Sequence, residues 1–383
     1  MRVLVEVNHY PGILDREFEI SPMRVAGEGR DRYVGVKPVL GEVPFRAGLD
    51  YVAMRELARR YLNFDVVICT NLPAIIAGKI ARKMGFSGRI VFDDYGIWPW
   101  RGFLPWGPLG ALFPTWARTN IISCRDSIDV VVTPSNFERM NAIRRYGFRA
   151  EAVFKIPYAI GEIFSPSVSG EQFRGELGIS RSEFLITYVG RINPTKGLDR
   201  LVKALYLIRK VPARLLLVGR NQGYLGKVLR IGRSLGVLKR MKYAGTLPHE
   251  RMPEVYAASD VVIIPSLYET FCFAAVEAMA CGVPVVASRA GSLPEVVGGA
   301  GIICDPVPEE IAEAIERLWY DDGLRKELMR RGPVRAEELR AEARMIVEVI
   351  SSEGTCEDCR LSLIHISEPT RPRLISYAVF CLK

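Results

Sequence analysis

Histidine is scarce in this chain: His9, His249 and His365 are the only three among 383 residues. His9 closes the first strand-like run and faces the expected cleft. His249 stands in a polar loop ahead of a helix, and His365 falls in a C-terminal stretch without a period. Neither these nor the acidic residues form a cluster with metal-ligand spacing. Cysteine is thinly spread as well. Cys69, Cys124, Cys272, Cys281 and Cys304 occur singly within strand-like and helix-like runs, as buried cysteines in a reducing compartment do. Cys356 and Cys359 make one CxxC, but no second pair and no His-x-His accompany it, which argues against a zinc site. Long apolar runs are also missing; none approaches the roughly 20 residues that span a bilayer. The opening Met1 to Val7 alternates and breaks at His9-Tyr10-Pro11-Gly12, which reads as a strand and its turn rather than a signal peptide. The expectation is a cytoplasmic protein, with a peripheral position at the inner face of the membrane as an option.

The chain carries an excess of nine positive charges. Such a balance suits nucleic acid, an anionic membrane or a phosphorylated substrate. Arginine and lysine are spread along the sequence without an RNP-like or helix-turn-helix pattern, which speaks against nucleic acid. The length of 383 residues is enough for two α/β domains, each with its own core.

Strand and helix signals alternate throughout. Asp65-Val66-Val67-Ile68-Cys69 and Asp129-Val130-Val131-Val132 read as buried parallel strands, with amphipathic helices such as Tyr51 to Tyr61 and Leu72 to Met84 between such runs. This first series ends near Ile156 to Ile160. The polar stretch from Ser165 to Gln172 reads as a linker. A second series opens with Phe184 to Gly190 and continues through Arg214 to Gly219, Asp260 to Pro265 and Val283 to Ala287. The predicted fold class is α/β, with two Rossmann-like doubly wound domains facing a central cleft. The expected divisions are 1–163, 164–333, a helical segment 334–360, and a tail 361–383 that resembles translated vector sequence and is left out of the fold.

The most informative segment runs from Ser266 to Ser288. A strand ends at Pro265, a helix is predicted from about Phe271 to Cys281, and Gly282 and Pro284 stop it. Within one helix Glu269 and Glu277 would stand about 12 Å apart along the axis. Glu269 is therefore placed in the loop before the helix and Glu277 in its middle, among Ala274, Ala275, Val276, Ala278, Met279 and Ala280. That helix is apolar nearly all round, so Glu277 is expected to be buried, where a carboxylate needs a partner. The hydroxyls of a ribose would serve; so would an internal ion pair. The helix start also offers free N–H groups suited to phosphate.

The second segment is Gly190-Arg191-Ile192-Asn193-Pro194-Thr195-Lys196-Gly197, between a strand and a helix. Arg191 and Lys196 suit a diphosphate, Arg191 through paired N–H groups and Lys196 as a point charge. A solvated loop with two basic residues reads the same way. It is not a Walker loop.

Together, GRINPTKG (190–197) and ETFCFAAVEAMACGVPVVAS (269–288) resemble the retaining glycosyltransferases of family four, which have the two-domain GT-B fold. TPSNFERM (133–140), KIPYAIGEIFSP (155–166), YAGTLPHERMPEVYAASDVVIIPS (243–266) and SRAGSLPEVVG (288–298) support the likeness, which is strongest from about 130 to 306. The resemblance implies a nucleotide-sugar donor (UDP-, GDP- or ADP-linked) and no further cofactor or metal. It implies that Glu277 holds the donor ribose and that Glu269 contacts the transferred sugar, aided by backbone amides at Phe271, Cys272 and Phe273. Arg191 and Lys196 would stabilise the leaving diphosphate, and backbone near Gly190, Gly219 and Thr246 would meet the nucleotide. The acceptor is a glycan, a lipid or a small molecule. Two departures stand out. Cys272 replaces a glycine common in the family, and a side chain there narrows the sugar pocket. On the acceptor side, only Gly12 marks the first loop, and Asp93-Asp94 ends a strand where the family often has a histidine. His9, Gly12, Asp93 and Asp94 are acceptor-side candidates, although an Asp pair at a strand end also reads as a turn.

The last feature is Trp98 to Trp116, rich in tryptophan and flanked by Arg101 and Arg118. Its prolines and glycines argue against a long regular helix. It reads either as a hydrophobic lid on its own domain or as a surface for a lipid-linked acceptor or membrane.

Overall fold

A computed structural model describes residues 1–5, 13–22, 51–94 and 107–351. Two six-stranded sheets organise the chain. The first contains β1 (Arg2–Val5), β2 (Glu19–Pro22), β3 (Val66–Cys69), β4 (Arg89–Asp93), β5 (Val130–Thr133) and β6 (Val153–Lys155). Its order is β2-β1-β3-β4-β5-β6, and every pairing is parallel. The second contains β7 (Phe184–Val189), β8 (Ala213–Val218), β9 (Met241–Gly245), β10 (Val261–Ile264), β11 (Val285–Ser288) and β12 (Ile302–Cys304). Its order is β12-β11-β10-β7-β8-β9, again all parallel. The expected α/β architecture of two Rossmann-like domains is what the chain adopts.

The order of the second sheet dictates where a ligand fits. The chain builds outward from β7 through β8 to β9, then returns to the other side of β7 to lay down β10. Loops leaving β7 and β10 therefore diverge, and the crevice between them lies at the carboxyl ends of the strands. The two informative sequence segments are the loops after these two strands.

Helix boundaries follow local chemistry. The Asn71 side chain caps the helix Leu72–Lys83 by accepting from Ala74 N–H at 3.0 Å. Ser135 caps Asn136–Tyr146 by accepting from Glu138 N–H at 3.1 Å, and Gly147 ends that helix in the left-handed region.

Three expectations need adjusting. The polar stretch expected to be a linker already enters a helix, Glu171–Leu177, which buries Phe173; one apolar anchor sufficed where the surrounding polarity suggested none. The aromatic segment is helical from Gly107 to Cys124, despite its prolines and glycines. Pro108 falls in the first turn, where no N–H bond is lost. Downstream of Pro114 the turns are regular, with side-chain bonds from Thr119 to Thr115 O and from Asn120 to Trp116 O. Finally, the helix Asp322–Ala343 is continuous across residue 333, the expected end of the second division. The helix after it, Met345–Ser351, buries Ile346, Val349 and Ile350 in the same apolar cluster as Val3, Val5 and Leu14 of the first domain. Arg89 donates to Val349 O at 2.7 Å there, and Lys155 pairs with Glu342 nearby.

Candidate functional site

Three loops of the second domain, after β7, β10 and β11, are tied together mainly through their backbones. Gly197 has φ 66°, and a Cβ added to it would stand 1.9 Å from Pro265 O, so only glycine allows the β7 loop to dock on the end of β10. Leu267 N–H donates to Thr195 O at 2.8 Å across the same junction. Gly291 repeats the device on the β11 loop: φ is 59° and a Cβ would lie 2.1 Å from Glu269 O. Ser292 N–H donates to that same carbonyl at 2.9 Å. Inside the first loop, Asn193 accepts from Thr195 N–H at 3.1 Å and from its hydroxyl at 2.8 Å, which fixes one tight turn over Pro194–Lys196. Gly190 donates to Val218 O at 2.9 Å, Gly219 donates to Gly245 O at 2.7 Å, and the Tyr243 hydroxyl donates to Gly219 O at 2.9 Å. Thr246 follows directly and is exposed.

This framework brings Lys196 and Glu269, 73 residues apart in sequence, into a direct pair of 2.6 Å. Ser266 donates to the same carboxylate oxygen at 2.6 Å. Each member of the pair is only 12% exposed, so the charges meet largely out of water, where their interaction is stronger than at a surface. Arg191 is exposed on the same loop, and its carbonyl accepts from the Tyr188 hydroxyl at 2.8 Å. Burial pushes the Tyr188 phenol well above its ordinary value, reinforced by the negative charge of Glu269.

The helix occupies Phe273–Ala280, so Glu269 does precede it and Glu277 does sit within it. Glu277 is half-buried, and its Oε2 accepts from the Tyr256 hydroxyl at 2.6 Å. Among the described residues Oε1 has no hydrogen bond. Burial raises the Glu277 carboxyl above the ordinary carboxylate range; the Tyr256 hydrogen bond and the nearby His249 pull it partly back. His249 is exposed and sets its ring edge-on to Phe164 at 5.4 Å. Cys272 immediately precedes the helix with φ 80°, the one non-glycine residue in the left-handed region among the described residues. That conformation costs an L-residue roughly 1–2 kcal/mol. Burial and the Glu269 charge push its thiol up.

On the first domain, Asp93 and Asp94 are both buried at the end of β4. The Tyr158 hydroxyl donates to Asp93 Oδ1 at 3.2 Å, and Asp94 N–H donates to Val132 O at 2.8 Å. The Tyr158 ring meets Phe271 edge-on at 5.2 Å and stacks on Phe273 at 5.5 Å. One side chain thus links Asp93 to the rings of Phe271 and Phe273. His9, Gly12 and the segment from Trp98 to Trp106 lie outside the described residues, as do Cys356, Cys359 and the tail 361–383. Sequence reasoning passed over Tyr158, Tyr256 and Tyr268, which act through their hydroxyls and also through their rings. It quoted Ser135 to Glu138 only inside a family-like motif, although the S-x-x-E spacing of a helix cap was available as a signal. Among the described residues no group of three His, Cys, Asp or Glu side chains comes together as metal ligands.

Residues 169–335 match the family model described as glycosyl transferases group 1. The D-inositol 3-phosphate glycosyltransferase of Corynebacterium diphtheriae is 34% identical over 216 residues, 53% of this chain and 51% of that protein. The chain spans about half the length of the curated relatives it matches. Among solved structures, Anabaena HepE in complex with UDP and glucose superposes with a TM-score of 0.69 at 24% identity, covering 79% of this chain and 82% of that one. Sucrose-phosphate synthase from Thermosynechococcus elongatus gives a TM-score of 0.71 at 19% identity, over 91% of this chain and 98% of that one. These likenesses show a shared fold of two facing domains.

Proposed function

Because residues 169–335 form a glycosyl transferases group 1 domain, we propose that the chain is a retaining glycosyltransferase that moves a sugar from a nucleotide-sugar donor held in that domain. The observation that carries this reading is the Lys196–Glu269 pair in the crevice between the β7 and β10 loops, with Glu277 held by Tyr256 on the helix that follows. Glu277 presents Oε1 to the ribose hydroxyls. Lys196 and Arg191 face the diphosphate, whose negative charge grows as its bond to the sugar breaks. Fixed cations aimed at that charge lower the barrier without reorganising. Glu269 is held by Lys196 and Ser266, with Oε1 already engaged, and contacts the transferred sugar beside the amides of Phe271, Cys272 and Phe273. The Cys272 side chain restricts the sugar pocket.

The donor is a UDP-, GDP- or ADP-sugar; UDP and glucose in the HepE complex favour testing UDP-glucose first. Two cations and a helix start do the work of a metal ion, so turnover is metal-independent. The acceptor is a glycan, lipid or small molecule engaged from the side of Asp93 and Asp94, with His9 and Gly12 on the first loop. Exposed Ile122 and Met140 share two packed helices with exposed Arg118, Arg144 and Arg145, a composition that favours peripheral contact with an anionic membrane. The direct test is release of nucleoside diphosphate from a panel of nucleotide sugars, with and without EDTA. Slow release from one donor, unaffected by EDTA, is expected. No release from any donor contradicts the reading, and loss restored by magnesium or manganese contradicts the metal-free mechanism.

A further inference from the structure

The first turn of one helix in the first domain, Ser135 to Glu138, makes a dense set of contacts with the second domain. Ser135 Oγ and Ser292 Oγ share a buried hydrogen bond of 2.6 Å. Asn136 N–H donates to both carboxylate oxygens of Glu295, at 3.0 and 2.9 Å, and its side-chain amide donates to Oε1 at 3.1 Å. Phe137 meets the Tyr268 ring edge-on at 6.0 Å. Glu138 is 2% exposed; its Oε1 accepts from the Tyr268 hydroxyl at 2.5 Å and its Oε2 from Asn141 at 3.2 Å.

The chemistry explains why these residues meet. The first N–H groups of a helix lack intrahelical partners, and the helix dipole favours an anion there. Here the anion is Glu295, supplied by the other domain. A Glu at the third helical position commonly folds back onto its own cap. Glu138 instead reaches across to Tyr268, while Ser135 still caps the Glu138 N–H at 3.1 Å.

What the helix grips matters as much as how. Tyr268 is the chain neighbour of Glu269. Ser292 donates its N–H to Glu269 O at 2.9 Å, and Gly291 packs against that same carbonyl. The gripped residues therefore bracket the backbone of Glu269 from both sides. Among the described residues, by contrast, Glu277 and Tyr256 make no hydrogen bond or ring contact with this helix turn; Glu277 bonds Tyr256, and Tyr256 also meets Phe164.

We propose that Ser135–Glu138 is a positioning clasp: when the domains are closed it fixes the 268–269 and 291–295 loops, and with them the Glu269–Lys196 pair, so that sugar transfer requires the clasp and nucleotide holding does not. This rests on the donor-site reading above. Closure would then complete the reacting end of the site only when the acceptor-side domain is in place, which limits loss of the donor to water.

The test compares wild type with Tyr268→Phe, Glu295→Ala and the double variant. Three quantities are read: kcat for release from the donor the panel identifies, the Kd of its nucleoside diphosphate, and the radius of gyration in solution. Each single variant should lower kcat about tenfold while Kd stays within about twofold, and the double variant should expand. Glu295→Gln, which keeps an acceptor for Asn136, should recover most of the kcat lost in Glu295→Ala. An unchanged kcat in a folded double variant overturns the clasp, as does a Kd that weakens in step with kcat. If wild type binds no nucleoside diphosphate, the donor reading fails. The radius of gyration still judges the clasp on its own, because a double variant as compact as wild type removes it.

Discussion

The two sheets are wound alike, yet their carboxyl ends are built differently. In the second domain the loops after β7, β10 and β11 are joined by main-chain hydrogen bonds and by glycines whose missing Cβ permits contact with a neighbouring carbonyl. In the first domain, the described end of β4 is a buried Asp pair held through the Tyr158 hydroxyl and the Val132 carbonyl. A main-chain framework tolerates few sequences and keeps its charges in fixed places. A side-chain framework can change its residues while keeping its role. Under the proposed function, the main-chain-held side is the donor's and the other the acceptor's.

The largest effect should come from removing the cations. The Arg191→Ala, Lys196→Ala double variant should lose at least 100-fold in turnover, since under the proposed function they face a charge that grows in the transition state. Its nucleoside diphosphate affinity should fall far less. Equal losses in both would mean the pair only binds, and full activity would remove it from the mechanism.

The backbone side of the comparison is tested by Gly197→Ala, which drives a Cβ to 1.9 Å from Pro265 O. Denaturant unfolding should show a loss of about 3 kcal/mol, as for other strained backbone positions. Gly161→Ala, whose Cβ would meet only Ile163 at 3.8 Å, should stay within about 0.5 kcal/mol. Similar costs at the two sites would erase the distinction between a close-packed and an open backbone.

Glu277 sharpens the comparison by setting function against stability. Its folded pKa is raised, mainly by burial. The protonated form is therefore favoured in the folded chain, and its contribution to stability is present at low pH and lost as pH rises through the raised value. Glu277→Gln cannot ionise and still accepts from Tyr256. At neutral pH the ligand-free variant should be more stable than wild type, and the two should converge in acid. A variant less stable at every pH would show that the charge supports the fold.

The smallest effect concerns the exposed face carrying Ile122, Arg118 and Arg145. Wild type should float with anionic vesicles, and Arg118→Glu, Arg145→Glu should float less with an unchanged melting temperature. Wild type that ignores anionic vesicles removes the membrane contact.

Much of the second domain was legible in the sequence, and for physical reasons. Gly197 and Gly291 stood within the quoted motifs, although the carbonyls they approach are set by the fold. An acidic residue inside an apolar helix, as at Glu277, announces that something engages it. The Lys196–Glu269 pair was not foreseen as a pair, because 73 residues separate the partners and only the strand order places them together. Tyr158, Tyr256 and Tyr268 were silent because a tyrosine does not announce its partner until its hydroxyl is located. The helix from Gly107 was hidden by Pro108 and Pro114, whose effect depends on where in the helix each one falls.

The most direct test of the donor site is a calorimetric titration of UDP, GDP and ADP into wild type and Glu277→Gln. One nucleotide should bind wild type saturably, and Glu277→Gln should bind it about tenfold more weakly while remaining folded. Equal binding by the two proteins, or no binding of any of the three to wild type, would contradict the assignment of Glu277 to the donor nucleotide.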